Sequence, residues 1–216
     1  MGWFHSAFEN LSAGFRRRRM RRFLDALQIT AQTRVLDVGG TFDFWRDSDP
    51  QPRLVLLNMP RTGGDLAGAA SWVAADGCAL PFRDQSFDVV FSNSVIEHVG
   101  SSAGQRAFAA EAARVGRNYW VQTPNRWFPV EQHMLTPFLH WLPQGVQAAI
   151  VRRATVWTLI SKPEPDRRRF YTEHYLSEIQ LLGAAELRGL FPDARILRER
   201  FFGLTKSLIA VRRLGA

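Results

Sequence analysis

An α/β fold built on a mostly parallel sheet is predicted, and three observations predict it. Short apolar runs bounded by turn residues recur along the chain, segments with helical spacing separate them, and the first run stops at Gly39-Gly40. Runs that are apolar throughout describe strands covered on both faces, and strands alternating with helices put those helices on the two faces.

The elements follow in order. Between about Phe8 and Gln28, Phe8, Leu11, Phe15, Phe23 and Leu27 recur at spacings near three and four, an apolar helical stripe. Arg16, Arg17, Arg18, Arg19, Arg21 and Arg22 occupy its polar faces. Such a basic amphipathic helix suits an anionic membrane surface or phosphate groups; packed on the domain edge, its arginines would stand in water. Arg34 to Val38 is the first strand and Arg53 to Asn58 the second, followed by a break at Pro60 and Gly63-Gly64. Ser71 to Ala74 and Ser86 to Ser92 are the third and fourth, the latter preceded by the polar turn Arg83-Asp84-Gln85. A helix from about Ala103 to Val115 leads to a fifth strand, Asn118 to Thr123, stopped at Pro124.

Residues 124–170 break this rhythm with Pro124, Pro129, Pro137, Pro143, Pro163 and Pro165, and read as an insertion covering the sheet edge. Ala184 to Phe191 is helical. Arg195 to Phe202 and Thr205 to Arg213 are strands joined across Gly203-Leu204 as an antiparallel hairpin, which brings the strands to seven with the last antiparallel.

The 216 residues suit one α/β domain, 1–216, with a basic helix at 8–28, a core at 34–123, the insertion at 124–170 and a helix with a hairpin at 171–216. The composition, 46% hydrophobic with seven Trp and sixteen Phe, is that of an aromatic-rich globular core. The single Cys78 excludes an internal disulfide and a thiolate zinc cluster, and no metal-ligand set is expected. The opening residues lack the order of a secretion signal and no apolar run approaches membrane-spanning length, so a cytoplasmic protein is expected, with peripheral contact at the inner membrane face through the basic helix. The net charge of +8 is carried by arginine, Lys162 and Lys206 being the only lysines. Arginine binds phosphate bidentately, and its excess also arises from codon bias.

The strand ending in Asp37-Val-Gly39-Gly40 sets a carboxylate and an unobstructed backbone at the carboxyl edge of the sheet, where open α/β folds bind ligands. Gly39-Gly40-Thr41-Phe42-Asp43-Phe44 does not follow the dinucleotide fingerprint, and the second strand ends in Asn58 rather than an acid, which disfavours a nicotinamide enzyme. No phosphate-binding loop of the G-x-x-x-x-G-K-[ST] type occurs.

RVLDVGG at Arg34 to Gly40 and DGCALPFRDQSFDVVFSNSVIEHV at Asp76 to Val99 resemble the class I S-adenosylmethionine methyltransferases, particularly the type 11 group. The resemblance covers roughly Arg34 to Thr123 and the final hairpin. It implies a Rossmann-like seven-stranded mostly parallel sheet with helices on both faces and the last strand antiparallel. It also implies S-adenosylmethionine as cofactor, with Asp37, Gly39 and Gly40 at the methionine end, Asp76 with Gly77 and Cys78 at adenine, and Asn93 facing the methionine portion. Thr41 and Asp43 stand where the group commonly has glycine. Asn58 stands where it has an acid for the ribose, to which an amide offers an uncharged contact. The matching position of Cys78 belongs to the adenine pocket, so a structural thiol is expected there.

Methyl transfer from a sulfonium is an in-line displacement that needs alignment, and a base only where the acceptor carries a proton. His98, Glu131 and His133 are the candidates for that base. The segment Gln122 to His133 resembles the acceptor side of bacterial members that read T-P-N followed by E-x-H, which would make Glu131 and His133 loop neighbours and set Asn125 to orient the acceptor. The expected acceptor is a small molecule, a lipid or a glycan, met by a pocket of Trp127, Phe128, Phe138, Trp141 and Trp157, or these aromatics form the insertion's own core. RNA is the alternative acceptor, motivated by Arg16 to Arg22 and Arg167 to Arg169. A non-catalytic Rossmann-like chain docking on anionic lipid is the third reading, motivated by Thr41, Asp43 and Asn58.

Overall fold

The computed structural model describes residues 3–59 and 71–214, with side chains from residue 14 onward. The expected break at Pro60 and Gly63-Gly64, and the side chains of Phe8 and Leu11, lie outside the described residues. Helix α1 (Trp3–Leu27) leads to β1 (Arg34–Val38), a short α2 (Phe42–Trp45), β2 (Arg53–Asn58), β3 (Ser71–Ala74) and β4 (Phe87–Asn93). A single 3-10 turn at Ile96–His98 precedes α3 (Ser102–Val115) and β5 (Gly116–Pro124). After the insertion come α7 (Ala184–Leu190), β8 (Arg195–Phe201) and β9 (Leu204–Arg212).

The seven strands are ordered β3-β2-β1-β4-β5-β9-β8. Strand β1 pairs in parallel with both β2 and β4, β4 in parallel with β5, and β9 runs antiparallel to β5 and β8. The chain therefore winds one way through β1, β2 and β3 and the other way from β4, and the crevice opens where it changes direction, at the carboxyl ends of β1 and β4.

Side-chain parity builds two cores. Val35, Leu54, Leu56, Val89, Phe91, Trp120 and Ile209 meet Met20, Phe23 and Leu24 of α1 and Trp45 of α2 on one face. Leu36, Val38, Leu57, Val90, Tyr119, Val121, Leu208 and Ala210 meet Phe108, Ala112, Leu187 and Phe191 on the other. A buried strand covered on both faces needs this uninterrupted apolar run. The β8–β9 hairpin turns through Phe202 and Gly203, both with positive φ, the backbone twist that two-residue hairpin loops favour.

The expectation for the arginine helix changes at one residue. Arg16, Arg17, Arg18, Arg21 and Arg22 are exposed, whereas Arg19 is buried under the sheet edge. It donates to Glu199 through Nε (3.1 Å) and Nη2, and to Gln122 (3.0 Å) and Asn93 through Nη1. Arg19 lies four residues before Phe23, on the buried stripe of the helix, and polar ends of β4, β5 and β8 meet it there.

The insertion contains more regular structure than its prolines announce. It holds a two-residue ladder of β6 (Val130–Glu131) and β7 (Thr136–Pro137), then α4 (Gln144–Arg153), α5 (Val156–Ser161) and α6 (Pro165–Glu178). Pro165 occupies the first helical turn, where a missing N–H costs nothing, so α6 starts at that proline and runs across residue 170. Met134, Leu139, Val151 and Tyr175 form a small core of its own, with Trp157 packed against it. No helix of the described residues is long and apolar enough to cross a membrane.

Candidate functional site

The Asp37-Val-Gly39-Gly40 turn is built from two close approaches. Gly39 has φ +83°, and a Cβ there would lie 2.4 Å from Val95 Cγ2. At Gly40 a Cβ would fall 1.7 Å from the Asp37 carboxylate, so that carboxylate fills the space a side chain would need. Asp37 has the parity of Val35 and points into the α1/α2 face, 1% exposed, with Trp45 Nε1 donating to its Oδ2 at 2.7 Å. Its Oδ1 has no partner. Burial outweighs the indole hydrogen bond and pushes its pKa up to about 7.

The crevice is a cavity of about 570 Å³. Gly39, Asn58, Asp76, Gly77 and Cys78 line it, joined by Val95, His98 and Phe108, while α6 contributes His174 and Glu178. Asp76 is exposed, its Oδ1 accepting from Cys78 N (2.8 Å) and its Oδ2 left open. Asn58 spends its amide on Gly40 O (3.0 Å), which leaves its oxygen for a ligand. Burial first and the Asp76 charge second raise the Cys78 pKa to about 11, so this thiol is no nucleophile at neutral pH. Asn93 does not line the cavity: it is drawn back to Arg19. Asp37 stands behind the cavity wall rather than in it.

Three of the chain's five histidines meet at the β4 end of the cavity. His98 closes the 3-10 turn after β4, His133 comes from the insertion loop and His174 from α6. The rings of His98 and His133 stand edge to face at 5.0 Å, and those of His98 and His174 stack at 5.3 Å. Glu131 is fully buried; its Oε1 lies 2.6 Å from His133 Nδ1 and its Oε2 accepts from Met134 N at 2.5 Å. His98 Nδ1 lies 3.1 Å from His174 Nε2, and His174 Nδ1 lies 2.9 Å from Glu178 Oε2.

The histidines titrate apart. Burial, then the charges of His133 and His174, lower the His98 pKa to about 4, which keeps it neutral. Burial alone would lower His133 too, but the hydrogen bond and charge of Glu131, with the charge of Glu97, leave its pKa raised. Glu97 is fully buried, its Oε2 accepting from Thr123 Oγ1 (2.9 Å), and burial raises its pKa to about 7.

Sequence spacing missed Glu97 and His174. Glu97 sits beside His98 in the quoted block, but only the turn aims it inward; His174 lies 76 positions from its partner, where no spacing rule reaches. The insertion's aromatics divide between its surface and its interior. Trp127, Phe138 and Trp141 are exposed, Phe128 packs edge-on against Phe201, and Trp157 belongs to the insertion core. Asn125 holds the loop to β9 rather than facing the cavity, donating from Nδ2 to Thr205 O (2.8 Å) and accepting from Trp127 N.

Residues 49–118 match the family model described as "Methyltransferase domain". Among solved structures, a protein from Rhodobacter sphaeroides described as a zinc-dependent alcohol dehydrogenase superposes with TM-score 0.61 at 12% identity, over 90% of this chain and 88% of that one. Magnesium protoporphyrin IX methyltransferase from Synechocystis, with S-adenosylhomocysteine bound, gives 0.54 at 13% over 99% and 89%. A protein from Anabaena variabilis described as a methyltransferase of an antibiotic biosynthesis pathway gives 0.52 at 15% over 85% and 64%. At these identities the likeness is one of fold. No curated protein sequence matches the chain.

Proposed function

We propose that this chain, a class I methyltransferase of the type 11 group, binds S-adenosylmethionine in the 570 Å³ cavity and transfers its methyl group to an acceptor that enters over His98 and His133. The observation that carries the reading is the convergence of Gly39, Asn58 and the Asp76-Gly77-Cys78 loop, from three successive strand ends, on one cavity.

The donor set suits the cofactor. Asp76 Oδ2 is an open acceptor for an amine or hydroxyl at the cavity mouth, and Asn58 Oδ1 offers a second. Gly77 leaves no room for a side chain, since a Cβ there would sit 2.9 Å from Val38 Cγ1 and 3.0 Å from the Phe108 ring; the Asp76–Cys78 loop is thereby packed directly on the cavity's apolar wall. When bound, the cofactor supplies a methyl group activated on a sulfonium sulfur.

The chain's own residues do the rest. Val95 and Val99 wall the cavity beside His98 and would exclude water from a bound cofactor there. Glu131 holds His133 by Nδ1, so the neutral imidazole keeps Nε2 as the proton acceptor for an acceptor hydroxyl. Neutral His98 beside it orients that hydroxyl.

The acceptor in this reading is a small molecule, a lipid or a glycan. The exposed Phe138–Trp141 pair, 5.2 Å apart on the insertion, and the exposed Trp127 give such an acceptor an apolar or sugar-stacking platform. RNA ranks second, and steep weakening of acceptor binding with salt would favour it.

Calorimetric titration with S-adenosylmethionine and S-adenosylhomocysteine tests the reading. Wild type should bind both, and Asp76→Ala, at an exposed position that leaves the fold intact, should bind each at least about tenfold more weakly, the effect of losing a charged hydrogen bond. A folded wild type that binds neither would overturn it.

A further inference from the structure

Behind His98, at the end of the cavity, lies a group of side chains whose free atoms are all acceptors when the histidines are neutral and Glu97 is ionised. Glu131 takes the Nδ1 proton of His133, which in the neutral ring leaves Nε2 as a bare lone pair. With His174 neutral, Glu178 takes its Nδ1 proton and its Nε2 accepts from His98 Nδ1, which leaves His98 Nε2 bare in turn. Glu97 accepts from Thr123 at Oε2, while its Oε1, fully buried, has no partner. No hydrogen bond among the described residues reaches Nε2 of His98 or of His133. One ligand atom from each of Glu97, His98 and His133 lies within 4.8 Å of the other two.

With the rings neutral and Glu97 ionised, three lone pairs face one another with no donor between them, an arrangement that either a shared proton or a bound cation relieves. We propose that Glu97, His98 and His133 form a binding site for a divalent transition-metal ion of the zinc type, with a coordination position open toward the cofactor cavity. Two imidazoles and one carboxylate are a donor set that zinc and its first-row neighbours accept, whereas magnesium prefers oxygen. The surroundings also fit. Each ligating histidine has its other ring nitrogen tied back, His133 to the buried Glu131 and His98 through His174 to Glu178, and Thr123 holds the carboxylate; such outer partners fix ring orientation and tautomer in metal sites. Ligand atoms around zinc stand roughly 3.3 Å apart, given bond lengths of about 2.0–2.1 Å, so the group closes by at most about 1.5 Å, a side-chain movement.

The site itself is independent of the methyltransferase reading. What the ion does rests on that reading: an acceptor oxygen taking the open position would lose its proton more readily, and the histidines would act as ligands where the metal-free chain uses them toward the proton.

The test uses the full chain stripped with EDTA and titrated with Zn²⁺, with Co²⁺ as the spectroscopic probe and Mg²⁺ as the hard control. Expected are one Zn²⁺ per chain, the visible absorption of four- or five-coordinate Co²⁺, and no Mg²⁺ binding. Glu97→Gln, nearly isosteric and still able to accept from Thr123, and His133→Asn should each weaken Zn²⁺ at least about tenfold; Glu131→Gln should weaken it by about 10–100-fold through the outer partner. His140→Ala should change nothing. Near-ultraviolet dichroism checks that each variant is folded. Absence of saturable Zn²⁺ binding by the folded wild type, or binding unchanged in both folded ligand variants, would overturn the site. S-adenosylmethionine titration of the stripped protein keeps the two readings apart, because its failure with Zn²⁺ binding retained counts against the cofactor reading alone.

Discussion

Of the six arginines between positions 16 and 22, Arg19 is the one whose side chain is buried and hydrogen-bonded among the described residues. It is 6% exposed, bound to Glu199 of β8 and to the side-chain amides of Asn93 and Gln122. Removing one member of a buried ion pair strands its partner without compensation. Arg19→Met should therefore cost about 3–5 kcal/mol in urea unfolding, and the double variant Arg19→Met, Glu199→Leu should regain much of it. Replacing the exposed Arg16, Arg17, Arg18, Arg21 and Arg22 by Gln one at a time should each stay within about 0.5 kcal/mol. Asp37 sets a pH dependence. Its folded pKa, raised by burial to about 7, lies above the ordinary carboxylate value, so the folded state holds this proton more tightly. Its contribution is fully present below about pH 4 and lost as pH rises through 7. Asp37→Asn, which still accepts from Trp45, should remove that part of the decline, and denaturation midpoints at pH 4 and pH 8 measure it. An unchanged slope would remove Asp37 as its source.

At the scale of elements, the β1–α2 turn and the insertion divide the work of building the cavity. The turn leaves no room for growth: Gly39 faces Val95 and Gly40 faces the Asp37 carboxylate. Gly40→Ala should push that carboxylate off the Trp45 indole and cost about 1–3 kcal/mol, the usual penalty of overpacking. Its signature is a shift of Trp fluorescence together with a lowered urea midpoint, and an unperturbed Trp45 would contradict the packing described. The insertion supplies the far wall. Gln180, just past α6, donates its backbone N–H to Glu97 O (2.8 Å), and Gln105 of α3 donates to Gln180 O (2.9 Å), so the His174 side of the cavity is pinned to the turn that holds His98. Ser94 at φ +59°, held by Gln122 through both its N–H (3.0 Å) and its hydroxyl (2.9 Å), bends the chain out of β4 toward that turn.

For the whole molecule, cofactor binding should appear as stability. A ligand at a hundred times its dissociation constant adds about 2.7 kcal/mol, and a domain of this size gains about 2–4 °C per kcal/mol, so S-adenosylmethionine should raise the melting temperature by about 5–11 °C. At the same ligand concentration a tenfold weaker Asp76→Ala should keep only about 1.4 kcal/mol, cutting that rise by at least about half while leaving the ligand-free melting temperature near wild type. The core strands β1, β2, β4 and β5 and the hairpin were legible in the sequence because strands covered on both faces are apolar over most of their length, a local signal, whereas the edge strand β3 buries none of its residues. The helices of the insertion were not, because α6 begins on Pro165 and is amphipathic only against a small core that the fold must first assemble. By itself the sequence determined the α/β class, the seven strands with the last antiparallel, and the cavity residues Gly39, Asn58, Asp76, Gly77 and Cys78, all within reach of consecutive strand ends. Only the tertiary structure decided that Arg19 is buried, that Asn93 turns away, that Trp127, Phe138 and Trp141 are exposed while Trp157 packs on the insertion core, and that His174 and Glu97 join His98 and His133. Those contacts span 26 to 180 positions, and local periodicity has no access to which distant side chains a folded chain brings together.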